Sequence, residues 1–411
     1  MDRSKLRQFA NLLVRVGGNV QPGQPVVVGC DVANAGIARL IAECAYDAGA
    51  SEVIMNWSDE VCSQMKFLRA EEKVFDVYPD WAVRRFGHWD ESGAAYLHVD
   101  SDDPDLMKNV APERLRRHGI ASSLATKEHM RAVMANSVRW SVIGAPSGAW
   151  AAKVFPGVPG EEALERLWEA IFEASRMNEG PDPVETWRRH NENFKARLDF
   201  LNGHKFRALK FRNSIGTDIS VELPEGHVWC GGGDRARDGI LFNPNIPTEE
   251  VYTMPLKSGV NGRAVGSKPL QFRGKLIENF ELIFRDGKVV SYKAEKNGAI
   301  LKNILENDEG ASYLGEVALV ADTSPIARMG LMFYNTLFDE NAACHFALGK
   351  AYPSCIEGGG DKSEEELRDL GANDSLVHED FMVGTADMSI TGVSRDGTET
   401  PVFVRGDFIS I

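Results

Sequence analysis

Gln24-Pro25-Val26-Val27-Val28-Gly29 is a short apolar run that leaves a Pro-Gly turn, and its reading decides the fold of the first part of the chain. Consecutive apolar residues suit a strand covered on both faces. Behind it, Ala35 to Ala48 sets Ile37, Leu40, Ile41, Cys44 and Ala45 at helical spacing. Gly49 stops that helix, where a left-handed cap suits glycine. Glu52-Val53-Ile54-Met55-Asn56-Trp57 is the next strand, and Ala95-Tyr96-Leu97-His98-Val99 and Trp140-Ser141-Val142-Ile143-Gly144 follow, each preceded by helical segments. Such alternation predicts an α/β domain with a mostly parallel sheet covered on both faces. The first strand-helix turn, Gly29 to Gly36, lacks the G-x-G-x-x-G phosphate loop, which argues against a dinucleotide site.

Further along, Leu164, Leu167, Trp168, Ile171, Phe172 and Met177 form one helical stripe that ends at Asn178-Glu179-Gly180-Pro181-Asp182-Pro183. This turn-rich stretch sets the expected boundary, giving an N-terminal α/β domain at 1–183 and a C-terminal α+β domain at 184–411. After a helix from Trp187 to Leu201, the second domain reads as antiparallel strand pairs. Leu209–Arg212 and Asp218–Glu222 flank a turn with Gly216, and Glu278–Phe284 and Val289–Lys293 alternate around Asp286-Gly287, a hairpin signal.

Composition narrows the function. The 411 residues carry 46 Lys and Arg against 60 Asp and Glu, a formal charge of −14, which disfavours a nucleic-acid partner. No apolar run approaches the ~20 residues a bilayer span needs. The amphipathic start at Met1 to Leu6 lacks a signal-peptide core. The six cysteines show no C-x-x-C spacing and read as reduced thiols. The expectation is a soluble cytoplasmic protein with no membrane partner.

Three stretches in the second domain hold candidate chemistry: Asn245 to Val251, Asp339 to His345, and Asn373 to Met382. Glu316 stands between them at the start of an apolar run. Two imidazoles and several carboxylates make a mixed N/O set suited to Zn²⁺, Co²⁺ or Mn²⁺. On a strand, His378 and Asp380 would share a face. On a helix, His345 and Tyr352 would lie within about 20° of one another, setting a phenol beside an imidazole. Each piece also has a plainer reading. His378-x-Asp380 could be a solvated polar pair, and Glu340 and Glu250 could be first-turn helix acids near the positive end of a dipole.

Taken together, Asn245-Ile246-Pro247-Thr248-Glu249-Glu250, Asp339-Glu340-Asn341 with Cys344-His345, Tyr313-Leu314-Gly315-Glu316 and His378-Glu379-Asp380-Phe381-Met382 resemble the bacterial metallo-aminopeptidases of the aminopeptidase T and aminopeptidase S type. Val14-Arg15-Val16-Gly17, Gln21-Pro22-Gly23-Gln24, Asp103-Pro104-Asp105-Leu106 and Ala149 to Pro156 extend the likeness over essentially the whole chain. The resemblance implies metal ligands at Glu250, Glu316, Glu340, His345, His378 and Asp380, and an active-site tyrosine at Tyr352. Glu379 departs from the aliphatic residue or threonine expected between His378 and Asp380.

The implied cofactor is two divalent metal ions, zinc or cobalt first, magnesium or manganese next. So many ligands exceed what one open catalytic zinc accepts, which favours two ions with a bridging carboxylate, assigned to Glu316. The implied reaction is hydrolysis of the N-terminal peptide bond of short peptides with a free N-terminus by a hydroxide shared between the metals, with Tyr352 on the oxyanion. The alternative on this scaffold is a mononuclear Fe(II) ring-cleaving dioxygenase, which needs fewer ligands. A non-enzymatic binding protein is a third reading, and it gives no reason for seven such residues to occur together. The resemblance further implies a homodimer, for which Phe333 and Phe338 read as exposed apolar hints.

Overall fold

The structure is a computed structural model, and it describes residues 2–101, 103–272 and 275–410. It separates into two compact units, Met1–His190 with Gly233–Pro247, and Asn191–Gly232 with Thr248–Ile411. The expected boundary at 183/184 falls at the start of the helix Pro183–His204, and the division between the units runs inside that helix.

The first unit is built on a sheet that, among the described residues, has five strands, all paired in parallel. Their order is Asn245–Ile246, Trp140–Gly144, Ala95–Asp100, Pro25–Asp31 and Glu52–Ser58. Val26, Val27 and Val28 are all buried, as a strand covered on both faces requires. The helix Ala35–Asp47 buries the apolar stripe read from the sequence, and Gly49 sits beyond its end at φ +94°. The pair Asn245–Ile246 is too short to carry a periodic signal, and its addition to the edge of this sheet was not foreseen.

The second unit contains, again among the described residues, a nine-stranded sheet and a five-stranded sheet whose pairings are antiparallel. The strands Lys275–Arg285 and Lys288–Lys296 form the expected hairpin, with Asp286 and Gly287 both at positive φ. Between the sheets lies a core in which Phe211, Phe346 and Phe381 meet edge to face. Phe333 and Phe338, expected to be exposed, are instead buried and stacked on each other at 4.7 Å. The turn between them folds both rings inward, so neither hints at a subunit interface. Among the described residues no helix is long and apolar enough to cross a membrane.

Candidate metal centre

The five-stranded sheet of the second unit carries the candidate residues. Its strands run in the order His378–Met382, His345–Gly349, Leu314–Val320, Glu250–Thr253 and Cys230–Gly231. Alternation sorts each strand into two faces. Val251, Val317, Leu319, Phe346, Leu348 and Phe381 enter the apolar core. The residues between them, Glu250, Glu316, His345, His378 and Asp380, fall on the other face.

Register brings these together. Glu250 lies opposite Val320, His345 opposite Ala318, and Asp380 opposite Ala347, which in turn faces Glu316. His378 lies opposite Gly349. Three of these row partners are Ala or Gly, so the longer polar side chains converge over short ones. Gly349 is at φ +108°, and an added Cβ would meet the Val377 carbonyl oxygen at 2.0 Å, so no larger residue fits.

The result is two groups of donors sharing one residue. Glu250, Glu316 and His345 form one, and Glu316, His378 and Asp380 the other, each with ligand atoms within 4.8 Å of one another. Glu316 offers Oε1 to His345 Nε2 at 3.5 Å and Oε2 to His378 Nε2 at 3.8 Å. Glu250 Oε2 lies 3.1 Å from His345 Nε2, and Asp380 Oδ1 lies 3.4 Å from His378 Nε2. Both of those oxygens are buried without a hydrogen-bond partner. On the far side of each ring, His345 Nδ1 faces the Ala343 carbonyl at 3.1 Å and His378 Nδ1 the Lys350 carbonyl at 2.8 Å. Those contacts favour the proton on Nδ1 and leave each Nε2 aimed at the carboxylates.

The electrostatics follow from crowding acids away from water. Burial, then the nearby Glu250 and Asp380 charges, push the Glu316 carboxyl above its usual range against the hydrogen bond to His345. Burial and the same two carboxylates also push the Glu340 carboxyl well above its usual range. Burial opposes charge on the imidazoles, yet Glu250 and Glu316 outweigh it at His345, and Asp380 outweighs it at His378, which rises to about 9. Burial resists the Asp380 charge as well, but His378 holds that carboxyl below its usual value. Four carboxylates against two imidazoles leave this pocket short of positive charge.

Glu340 joins neither donor group at that distance, although the charges of Glu250, Asp380, His345 and Glu316 all reach it. Its helix-start reading holds in part, because Glu340 caps the end of the short helix Thr336–Asp339 and stands in the first turn of the 3-10 helix Glu340–Ala342. Glu250, by contrast, opens a strand and not a helix. The helical reading of His345 and Tyr352 also fails, because His345 begins a buried strand that stops at Gly349. Tyr352 packs instead on His378, with ring centroids 4.8 Å apart. Burial, then the charges of Glu316 and Asp380, hold its phenol protonated well above the usual range. His378-x-Asp380 is a strand pair on one face, as the spacing suggests.

Sequence reasoning missed one positioning residue. Asn341 is fully buried, accepts from Glu249 N at 2.6 Å and donates to the Leu337 carbonyl at 3.1 Å, tying the segment before Glu250 to the segment holding Glu340. Its only sequence signal is an amide beside two acids.

The fold gathers carboxylates and imidazoles into a donor cluster of the kind that suits divalent cations. The chain belongs to the thermophilic metalloprotease (M29) family, which it matches over residues 2–408. Among its relatives, it is 46% identical to "Aminopeptidase 2" of Geobacillus stearothermophilus, covering 98% of this chain and 97% of that protein. It is 44% identical to "Aminopeptidase AmpS" of Bacillus subtilis over 98% of each chain. The solved structure of wild-type AmpT from Thermus thermophilus is similar at TM-score 0.92 and 39% identity, covering 99% of this chain and 100% of that one.

Proposed function

We propose that this protein is a cytoplasmic aminopeptidase that releases the N-terminal residue of short peptides, using two divalent cations. The observation that carries the reading is Glu316, each of whose oxygens faces a different imidazole between two donor groups. The aminopeptidase names of its relatives support the reaction. The donors fit such a cofactor, because Glu250 Oε2 and Asp380 Oδ1 are buried without a hydrogen-bond partner and lie adjacent to imidazole nitrogens. In this reading Glu250 and His345 would hold one ion and His378 and Asp380 the other, with Glu316 belonging to both donor sets and Glu340 close to them. Zinc or cobalt suits the mixed N/O set, with magnesium or manganese as substitutes. Ions held there supply Lewis acidity and a water acidic enough to attack at neutral pH.

The chain's own residues supply the rest. Tyr352, kept protonated, is a hydrogen-bond donor for the oxygen on which charge develops, a role worth roughly 3 kcal/mol when such donors are removed. Glu316 is our choice for guiding the proton of the attacking water. The surplus carboxylates, Glu340 in particular, attract the substrate ammonium, which excludes internal peptide bonds. Neither the relatives nor the full carboxylate set supports a mononuclear Fe(II) ring-cleaving dioxygenase. We expect a homodimer, and gel filtration of an active monomer would contradict that.

The test is a panel of dipeptides and their N-acetylated forms. Free peptides should be cut and acetylated ones left intact, and a strong chelator should abolish cleavage. Equal cleavage of both sets would overturn the assignment.

A further inference from the structure

We infer that Lys268 receives a carboxylate of the peptide substrate while the substrate's ammonium lies at the acidic cluster. The inference rests on the aminopeptidase reading and specifies how that site selects short peptides. A cavity of about 350 Å³ opens beside the candidate centre, with Glu340, His378 and Asp380 in its wall. Its charge is uneven. Asp339, Glu340, Glu379 and Asp380 bring carboxylates, and Lys268 is the only lysine or arginine among the described residues that line it.

Asp339 does not use up that cation. Its Oδ1 accepts from Phe333 N at 2.7 Å and its Oδ2 from Asn335 N at 3.0 Å, so the carboxylate organises the 333–335 turn. Lys268 acts on Asp339 through space and forms no ion pair among the described residues. The backbone that carries it is fixed. Gly266 N donates to the Phe280 carbonyl at 2.9 Å, and Ser267 N donates to the Met382 carbonyl at 2.8 Å. Met382 ends the strand that holds His378 and Asp380, so the backbone next to Lys268 is registered against the same strand as the donors.

A short peptide is a zwitterion whose charged ends are separated by about 3.3–3.6 Å per extended residue. An acidic wall with one cation in the same cavity complements that charge pattern. The carboxylate could be the C-terminus or an acidic second side chain, and substrates can tell these apart. Charge-assisted pairing of this kind sets a preference of about tenfold in KM.

The experiment measures kcat and KM of the metal-loaded enzyme on two matched pairs with a common first residue. One pair is a dipeptide and its C-terminal amide. The other is a dipeptide amide with Glu or Gln in second place. The wild type should show about tenfold lower KM for the carboxylate member of one pair, and the pair that responds identifies the source. Lys268→Met should abolish that preference through KM with kcat little changed, and Lys268→Arg should keep it. If Lys268→Met does not fold, Lys268→Gln serves as the neutral variant. No preference in either wild-type pair, or a preference that survives neutralisation, would overturn the inference. Failure to cut any of the four peptides would instead overturn the aminopeptidase reading beneath it.

Discussion

Glu316 is the residue on which the two donor groups depend, since it belongs to both. Glu316→Gln keeps the volume but removes the charge and one acceptor oxygen. We predict that kcat falls at least 10³-fold, the scale of losing a proton acceptor together with a metal bridge. The metal content should drop in the same preparation. Native-rate release of amino acids by this variant would refute the role. Tyr352 separates from Glu316 by its effect on metal. Tyr352→Phe leaves every carboxylate and imidazole in place and removes only the donor, so kcat should fall by ~10²–10³ with metal content unchanged. At this scale the sequence was informative about residue type and poor about neighbours. His345 and Tyr352 stand seven positions apart, which fits a helix as well as it fits a strand followed by a turn. The phenol reaches His378 because the chain reverses after Gly349, a contact that pairing across strands creates and local spacing does not encode.

At the scale of elements, the candidate centre is a property of one sheet face. Ala318 and Ala347 lie among the donors in cross-strand register, and both are buried. Ala347→Leu adds volume between Glu316 and Asp380, and overpacking a tight site costs typically 1–3 kcal/mol. The prediction is a folded protein with unchanged far-UV circular dichroism and sharply reduced metal uptake by calorimetric titration. Wild-type uptake would show that the row is looser than its register implies. Asn341→Ala tests the tie between the segments of Glu249 and Glu340. It removes the Asn341 Oδ1 acceptor that Glu249 N uses, so denaturant unfolding should show a loss of about 1–3 kcal/mol. The alternation that places His378 and Asp380 together was legible, because a period of two survives in three residues. The role of Asn341 was not, because its bond to Glu249 reaches across 92 positions of the chain.

On the scale of the whole molecule, the parallel sheet and the antiparallel pairs were readable from the apolar runs and the Asp-Gly turn. The return of Gly233–Pro247 to the first unit was not, since its two-residue strand Asn245–Ile246 has no pattern of its own. Burial of Phe333 and Phe338 was also missed, because a turn sequence around aromatics does not reveal which way the rings fold. Phe338→Ala should destabilise the fold by about 3–5 kcal/mol, seen as a lower denaturation midpoint, where an exposed ring would cost almost nothing. The central claim is that the second unit holds a paired-metal catalyst. Its most direct test is metal analysis of the purified protein alongside its aminopeptidase rate, before and after chelation. The account predicts two divalent ions per chain, loss of activity as they are removed, and recovery when zinc or cobalt is restored. Full peptide cleavage by metal-free protein would contradict it.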